Sequence, residues 1–594
     1  MKLRYTVGLT TLSASLLAST GCTTVQETLP PPAKAKVAER RPNFLLIVAD
    51  DLGYSDVGAY GGEIATPNMD RLAQDGAMLT NFYTSPFCSP TRAMLMSGTD
   101  NHVAGFGDMA ELITEAQRGK PGYEGYLNER IVSMPQVLKD GGYRTVMAGK
   151  WHLGNGEAQS PAARGFDRSY AMTMGGASHF SDQLGIVAAD PQKPPKAIYR
   201  ENGKEINLPQ KDFYSSEAFA TRIIDYIEET RGNGSKPFFA YLAFTAPHWP
   251  LHAPDEDIQK YEGKYAAGYD QLRAERFERM KRIGLLPDNS PLYAGNAKWP
   301  AWDTLTPLQK KSEAKRMAVY AAMVDNMDRQ IGRVLQYLEK QGELDNTVVV
   351  FMSDNGADGN SVYDVARTRE WIHKDMDNSI ENTGRPGSFT EYGPGWAQVG
   401  QTPFKMYKSF LYEGGISVPA MVWAPKFGVA SQRKLQVTHV MDIAPTFYEM
   451  AGVQHPGTRH QDRTVAPVQG KSLVAYLKGE VPSVYGPNDV IGWELGGRKA
   501  LRKGDWKIVY ANKPWGEGEW ELYNVAQDRV ESHNLASSQP EKMKEMLAAW
   551  KIYVAQNGVL EIDELANRPG YSNGARYYED LAIEASQKPQ TRKP

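Results

Sequence analysis

Cysteine is almost missing from this chain: 594 residues hold two, Cys22 and Cys88. That excludes a disulfide framework, and it also excludes a structural zinc site built from clustered thiolates. An excess of charge of one sign is missing too, with 67 Lys and Arg against 70 Asp and Glu and a formal net charge of -3. Without a long basic run, nucleic acid is excluded as a partner. Long apolar runs are absent as well. The longest near the N-terminus covers residues 7–18, short of the roughly 20 that a membrane-spanning helix needs. What is present is the composition of a globular enzyme. Hydrophobic residues make up 41%, and the length allows a large core and more than one domain.

The N-terminus carries the pattern of an export signal. Lys2 and Arg4 give a basic start, residues 7–18 an apolar middle, and Ser19-Thr20-Gly21-Cys22 a small-residue exit. Gly21-Cys22 resembles the end of a bacterial lipoprotein box, with Ser19 where such boxes usually carry Leu. The resemblance implies a lipidated Cys22 and an exported protein, periplasmic or held at the outer membrane or cell surface. An ordinary cleaved signal peptide is the alternative. Residues 23–41, with Pro30-Pro31-Pro32 and Ala-Lys-Ala-Lys, read as an extended tether. The expected organisation is 1–22 signal, 23–41 tether, 42–470 catalytic domain, and 471–594 a smaller α+β subdomain with a polar tail.

Four segments show an apolar run that closes on polar residues. Residues 43–49 lead into Asp50-Asp51, and 143–149 into Lys150-Trp151-His152. Residues 238–244 lead to Ala246-Pro247-His248, and 347–352 to Ser353-Asp354-Asn355-Gly356. Runs of this kind are strands buried on both faces of a sheet. Helical patterns separate them, over 216–231 and from about Thr306-Pro307 to before Gly342. The expected fold is therefore α/β, a large and mostly parallel sheet sandwiched by helices. Ligands in such sheets collect at the carboxyl ends of the strands, which draws these polar residues to one edge. Residues 172–213 and 358–403 carry little periodicity and are expected as loops around the pocket. Beyond 470, short strands over 490–495, 498–510 and 520–525, then a helix over 540–556, predict an antiparallel subdomain.

Asp50, Asp51, Asp354 and Asn355 offer oxygen ligands suited to a hard cation, Ca²⁺ or Mg²⁺. Each pair taken alone is equally an ordinary turn after a strand. Cys88 opens Cys88-Ser89-Pro90-Thr91-Arg92, followed by Ala93-Met94-Leu95-Met96-Ser97-Gly98. On residue type alone it is a buried apolar thiol, a partner for Cys22, or a functional group. Once Cys22 is lipidated or removed, the disulfide loses its partner.

The Cys88 stretch resembles the sulfatase signature C-x-P-x-R-x-x-x-x-[ST]-G, and residues 142–152 resemble the second signature of that family. Ala246-Pro247-His248, the KSFLYEGG run beginning at Lys408, and residues 98–105 also match, the last in the manner of bacterial arylsulfatases. The chain thus resembles a type I sulfatase of the alkaline-phosphatase-like superfamily. The resemblance implies hydrolysis of aryl or carbohydrate sulfate esters. It assigns Asp50, Asp51, Asp354 and Asn355 to a metal, Ca²⁺ before Mg²⁺. It makes Cys88 the residue that a separate maturase oxidises to formylglycine, whose hydrate supplies the nucleophile. Arg92 and Lys150 would hold that residue, His152 would act as base during sulfate release, and His248 and Lys408 would flank the leaving oxygen. Two alternatives are a phosphonate monoester hydrolase or phosphodiesterase of the same superfamily, and a non-catalytic carbohydrate-binding surface lipoprotein. Asn355 and the Lys150/His152 pair count against the first, and the intact set of site residues against the second. His439, His455 and His460 are expected in structural roles, with His102 and His179 left open.

Overall fold

The computed structural model describes residues 40–209, 211–231, 236–562, 574 and 576–589. The expected signal, 1–22, and the expected tether as far as residue 39 lie outside them; at the tether's expected end Arg41 is already part of the fold, its Nη1 donating to the Gly141 carbonyl at 2.7 Å. Among the described residues, eleven strands share one sheet. They are β1 (Asn43–Ala49), β2 (Ala77–Tyr83), β3 (Arg144–Lys150), β4 (Arg168–Met172), β5 (Tyr199–Glu201) and β6 (Lys204–Ile206), then β7 (Phe238–Ala243), β8 (Thr347–Ser353), β9 (Ser417–Trp423), β10 (Gln432–Lys434) and β11 (Thr438–His439). The order across the sheet is β10-β2-β9-β8-β1-β7-β3-β4-β5-β6, with β11 also on β2. The central strands β8, β1, β7, β3 and β4 are parallel. β9 runs against both β8 and β2. One edge of the sheet therefore gathers the carboxyl ends of β1, β2, β3, β7 and β8 together with the amino end of β9.

Side chains alternate across the pleat, so each central strand feeds two cores. Leu45 and Ile47 of β1 face one core while Phe44, Leu46 and Val48 face the other; Val349 and Phe351 of β8 oppose Val348, Val350 and Met352 in the same way. The first core is roofed by the helices Ser215–Arg231 and Pro307–Lys340. The second is closed by Cys88–Ser97, Met134–Asp140 and Ile443–Ala451. The long helix starts where its sequence signals it. Thr306 and Gln309 form a reciprocal capping box and Pro307 occupies the first turn. A full burial of each branched side chain in such a core is worth about 1.5–3 kcal/mol.

A short hairpin, β12 (Arg459–His460) with β13 (Arg463–Thr464), leads toward the C-terminal sheet. That sheet is an antiparallel meander of β14 (Val490–Leu495), β15 (Arg498–Lys503), β16 (Trp506–Tyr510) and β17 (Trp520–Asn524). The helix Pro540–Asn557 covers one face through Met546, Trp550 and Tyr553. The run 498–510 is two strands rather than one, because Gly504 at φ +57° turns the chain between Lys503 and Trp506.

Two other stretches hold more structure than their composition indicates. Residues 358–403 include the helices Ala366–Asp375 and Gly393–Gly400, and 172–213 include the β5–β6 hairpin. The residues after the C-terminal sheet include a helix, Tyr577–Ala585, where a polar tail is expected. It docks through buried charge: Arg316 Nη2 lies 2.5 Å from Glu584 Oε2, and Arg369 Nε 2.8 Å from Asp580 Oδ1. Hydrophobic patterning misses that kind of packing.

Candidate active site

β1 ends at Ala49, and Asp51 then takes a left-handed backbone (φ +67°) that turns two consecutive carboxylates into the strand edge. Its amide donates to Asp354 Oδ1 at 3.2 Å, locking the ends of β1 and β8 together. Asn355 Nδ2 donates to Asp51 Oδ1 at 2.6 Å. Cys88 opens its helix just beyond β2, with its thiol 3.9 Å from Asp51 Oδ1. One ligand atom from each of Asp50, Asp51, Cys88 and Asp354 lies within 4.8 Å of the others. All four residues and Asn355 are buried.

Cations are threaded through this cluster. Arg92 is one helical turn from Cys88 and so shares its face. Its Nε and Nη2 reach Asp354 Oδ2 at 2.9 and 2.8 Å, and its Nη1 donates to the Lys150 carbonyl at 2.9 Å. Lys150, the last residue of β3, donates to both oxygens of Asp50 at 2.8 and 2.7 Å. Lys408 arrives from the segment ahead of β9, which is why a residue so late in the chain meets the others. Its ammonium donates to Asp51 Oδ2 at 2.9 Å and to Asp358 Oδ2 at 3.0 Å.

Burial dominates the electrostatics. It pushes Asp50 up to about 6 and Asp51 well above the usual carboxylate range, against the pull of Lys150 and Lys408 respectively. At Asp354 burial acts the same way, but Arg92, Lys150 and Lys408 outweigh it and hold the group below its ordinary value. Burial also drives the Cys88 thiol well above its ordinary value, so the plain cysteine is a poor nucleophile. The donor set has a further gap: Asn355 Oδ1 is buried without a hydrogen-bond partner. An orphaned amide oxygen beside three buried carboxylates fits a bound hard cation.

The two histidines enter from loops after β3 and β7. His152 has φ +55°, which swings its ring back over the edge, and its Nε2 lies 3.3 Å from Glu111 Oε1. His248 Nε2 lies 3.4 Å from Asp51 Oδ2, and its Nδ1 meets the Trp249 carbonyl. Burial lowers both imidazoles, His248 the further, and Lys408 and Lys150 add to the effect there. Gly175 and Gly176 pack against the two rings. A Cβ at Gly175 would stand 3.0 Å from His152 Cε1, and one at Gly176 3.1 Å from His248 Cε1. Adjacent glycines thus put the two imidazoles in one pocket, on the stretch expected to rim it.

All ten residues singled out in the sequence meet at this edge. Sequence reasoning missed Glu111, Asp358 and the glycine pair. Asp358 carried a signal, since it follows Asp354-Asn355 in the same turn; Glu111 carried none. Of the two open histidines, His179 Nε2 lies 2.9 Å from the His248 carbonyl and holds that loop. His102 lies elsewhere, between Asp100 and Glu494.

The Sulfatase family model matches residues 42–453. The chain belongs to the sulfatase family. An uncharacterised sulfatase of Schizosaccharomyces pombe is 46% identical over 530 residues, covering 88% of this chain and 95% of that protein. An arylsulfatase of Klebsiella aerogenes is 42% identical over 442 residues, covering 74% of this chain and 92% of its own length. Among solved structures, that of Ps i-CgsB in complex with k-i-k-neocarrahexaose superposes with a TM-score of 0.61 at 25% identity, over 92% of this chain and 98% of that one. The protein is a sulfuric ester hydrolase, and its fold is the mostly parallel sulfatase sheet with a small antiparallel C-terminal sheet.

Proposed function

We propose that this sulfatase works through a formylglycine made from Cys88 and a Ca²⁺ ion held by Asp50, Asp51, Asp354 and Asn355. The observation that carries the reading is the placement of Cys88. A buried thiol that resists ionisation stands at the centre of three buried cations and next to an oxygen cluster with an unpaired Asn355 Oδ1. As a thiol, Cys88 is a poor nucleophile there. Its hydrated aldehyde would supply a hydroxyl nucleophile, and the cation would supply fixed positive charge for the sulfate.

The chain's own residues divide the remaining work. A sulfate monoester is an anion, and its transition state places further charge on oxygen. Arg92, Lys150 and Lys408 are buried and held by ion pairs around that position. Arg92 is fixed by Asp354 and Lys150 by Asp50, so neither ammonium nor guanidinium drifts when substrate leaves. His248 and Lys408, both beside Asp51, would assist the leaving oxygen. His152 would take a proton from residue 88 to release sulfate.

Aryl sulfate is the first substrate class, as the Klebsiella relative is named an arylsulfatase. Carbohydrate sulfate is the second, because the Ps i-CgsB structure holds a neocarrahexaose. A maturase that oxidises Cys88 is required, and the signal pattern ending at Cys22 supports export as a surface-anchored lipoprotein. The deciding experiment is peptide mass analysis of the active protein. The Cys88 peptide is expected about 18 Da lighter than its cysteine form, a loss outside the usual thiol oxidation ladder. An unmodified thiol in protein that releases sulfate at full rate overturns the mechanism.

A further inference from the structure

Glu111 sits in a short 3-10 turn, Ala110–Leu112, anchored by the flanking Met109 and Leu112 against Phe87 and Leu495. That anchoring brings its carboxylate oxygens 3.3 and 3.4 Å from His152 Nε2. A carboxylate only accepts, so Nε2 carries the hydrogen, and in the neutral ring Nδ1 is left as an acceptor. His152 Nδ1 is buried and has no hydrogen-bond partner. A buried lone pair with nothing to accept is destabilising, and its persistence points to a donor that arrives with the reaction. The ring cannot readily swing to relieve it, because Gly175 packs against Cε1 and Nε2.

We infer that Glu111 is a positioning residue that fixes His152 as the Nε2–H tautomer, so that Nδ1 is the nitrogen that takes the proton from residue 88. The inference rests on the proposed role of His152 as base and adds to it the reacting atom and its partner. In that step the O–H bond of the residue 88 hydroxyl breaks and its electron pair stays on oxygen. An Nδ1–H bond forms, and the resulting imidazolium is neutralised by Glu111. The groups facing the ring are in keeping with this. Lys150 and Arg92 oppose a positive charge on it, and Glu111 is the counterweight.

The test uses full-length protein labelled with ring-¹⁵N histidine, and one of its readouts does not depend on turnover. The His152 signals, one set among ten histidines, are assigned by their loss in His152→Gln. The parent is expected to show a protonated Nε2 and an unprotonated Nδ1, and Glu111→Ala a mixture of tautomers. In kinetics, Glu111→Ala is expected to lower kcat about 10–100-fold, the usual effect of losing the partner that orients a functional histidine, with KM little changed. The acid limb of its pH–rate profile moves to lower pH, since a negative neighbour is gone. The double variant Glu111→Ala/His152→Gln is expected to be no slower than His152→Gln. A parent-like tautomer and pH profile in Glu111→Ala, or an effect on KM alone, overturns the inference and leaves His152 as the base. A fully active His152→Gln instead overturns the proposed role of His152, and this inference falls with it.

Discussion

Cys88 and Asn355 carry most of the chemical meaning of the site, and each can be tested on its own. Cys88→Ala removes the proposed nucleophile without disturbing the ion pairs of Arg92, Lys150 and Lys408. Turnover of an aryl sulfate is expected to fall to background, while calorimetric melting and metal content stay at parent values. Residual activity above that of a Lys150→Ala control would count against a nucleophile at residue 88. Asn355→Ala keeps the three carboxylates and removes the one neutral ligand proposed for the cation. Titration of Ca²⁺ into chelator-treated protein is expected to show affinity lowered at least about tenfold, as for other losses in a tuned metal site. Unchanged affinity would place the cation elsewhere.

At the scale of elements, the glycine pair between β4 and β5 sets the distance between the two imidazoles. Gly175→Ala forces a methyl to within 3.0 Å of the His152 ring and displaces it. A misplacement of about 1 Å can cost on the order of 10²-fold in rate, so kcat is expected to fall steeply with little change in melting temperature. A parent-like kcat would show that the ring has room to spare. A second element-level contact joins the helix Asn101–Ala104 to the C-terminal sheet. His102 Nδ1 lies 2.8 Å from Asp100 Oδ1, its Nε2 lies 3.3 Å from Glu494 Oε2, and Tyr553 donates to Asp100 Oδ2 at 2.8 Å. Burial alone would lower His102, but Asp100 and Glu494 raise it from 6.5 to about 9, and Asp100 falls in turn. Glu494 moves the other way, because its own burial outweighs His102. A raised folded value means the stabilisation is complete below pH 6.5 and is lost as pH rises through about 9. It is worth on the order of 3 kcal/mol. Differential scanning calorimetry of parent and His102→Gln is expected to show the largest gap in melting temperature near pH 6, closing by pH 9.5. A constant gap would mean His102 stays neutral.

At the scale of the whole molecule, we propose that the enzyme is anchored through Cys22. The basic start, the apolar stretch and Gly21-Cys22 predict lipid attachment, with the proline-rich stretch as spacer. A single acyl chain anchors only marginally, so stable attachment needs the two or three that a lipoprotein cysteine carries. Metabolic labelling with palmitate is expected to mark the parent and not Cys22→Ser, with sulfatase activity per molecule equal in both. Labelling of Cys22→Ser, or none in the parent, would favour simple secretion.

The strands and the site were legible from local pattern, because a strand buried on both faces must be apolar throughout and must hand over to polar residues where it reaches solvent or ligand. That rule alone brought Asp50, Lys150, His248 and Asp354 to one edge. The resemblance of the residues around Cys88 to a family signature named the chemistry. What the pattern could not reach were groups whose meaning depends on distant partners. Glu111 is an unremarkable acid until a 3-10 turn sets it against His152. Gly175 and Gly176 look like loop filler until two rings pack on them, and the helix Tyr577–Ala585 looks like a polar tail until Arg316 meets Glu584. Local pattern records what each segment must bury or expose. Pairing of charge, the choice of tautomer and close approach across hundreds of residues are properties of the packed chain, and they arise only once the sheet brings its edges together.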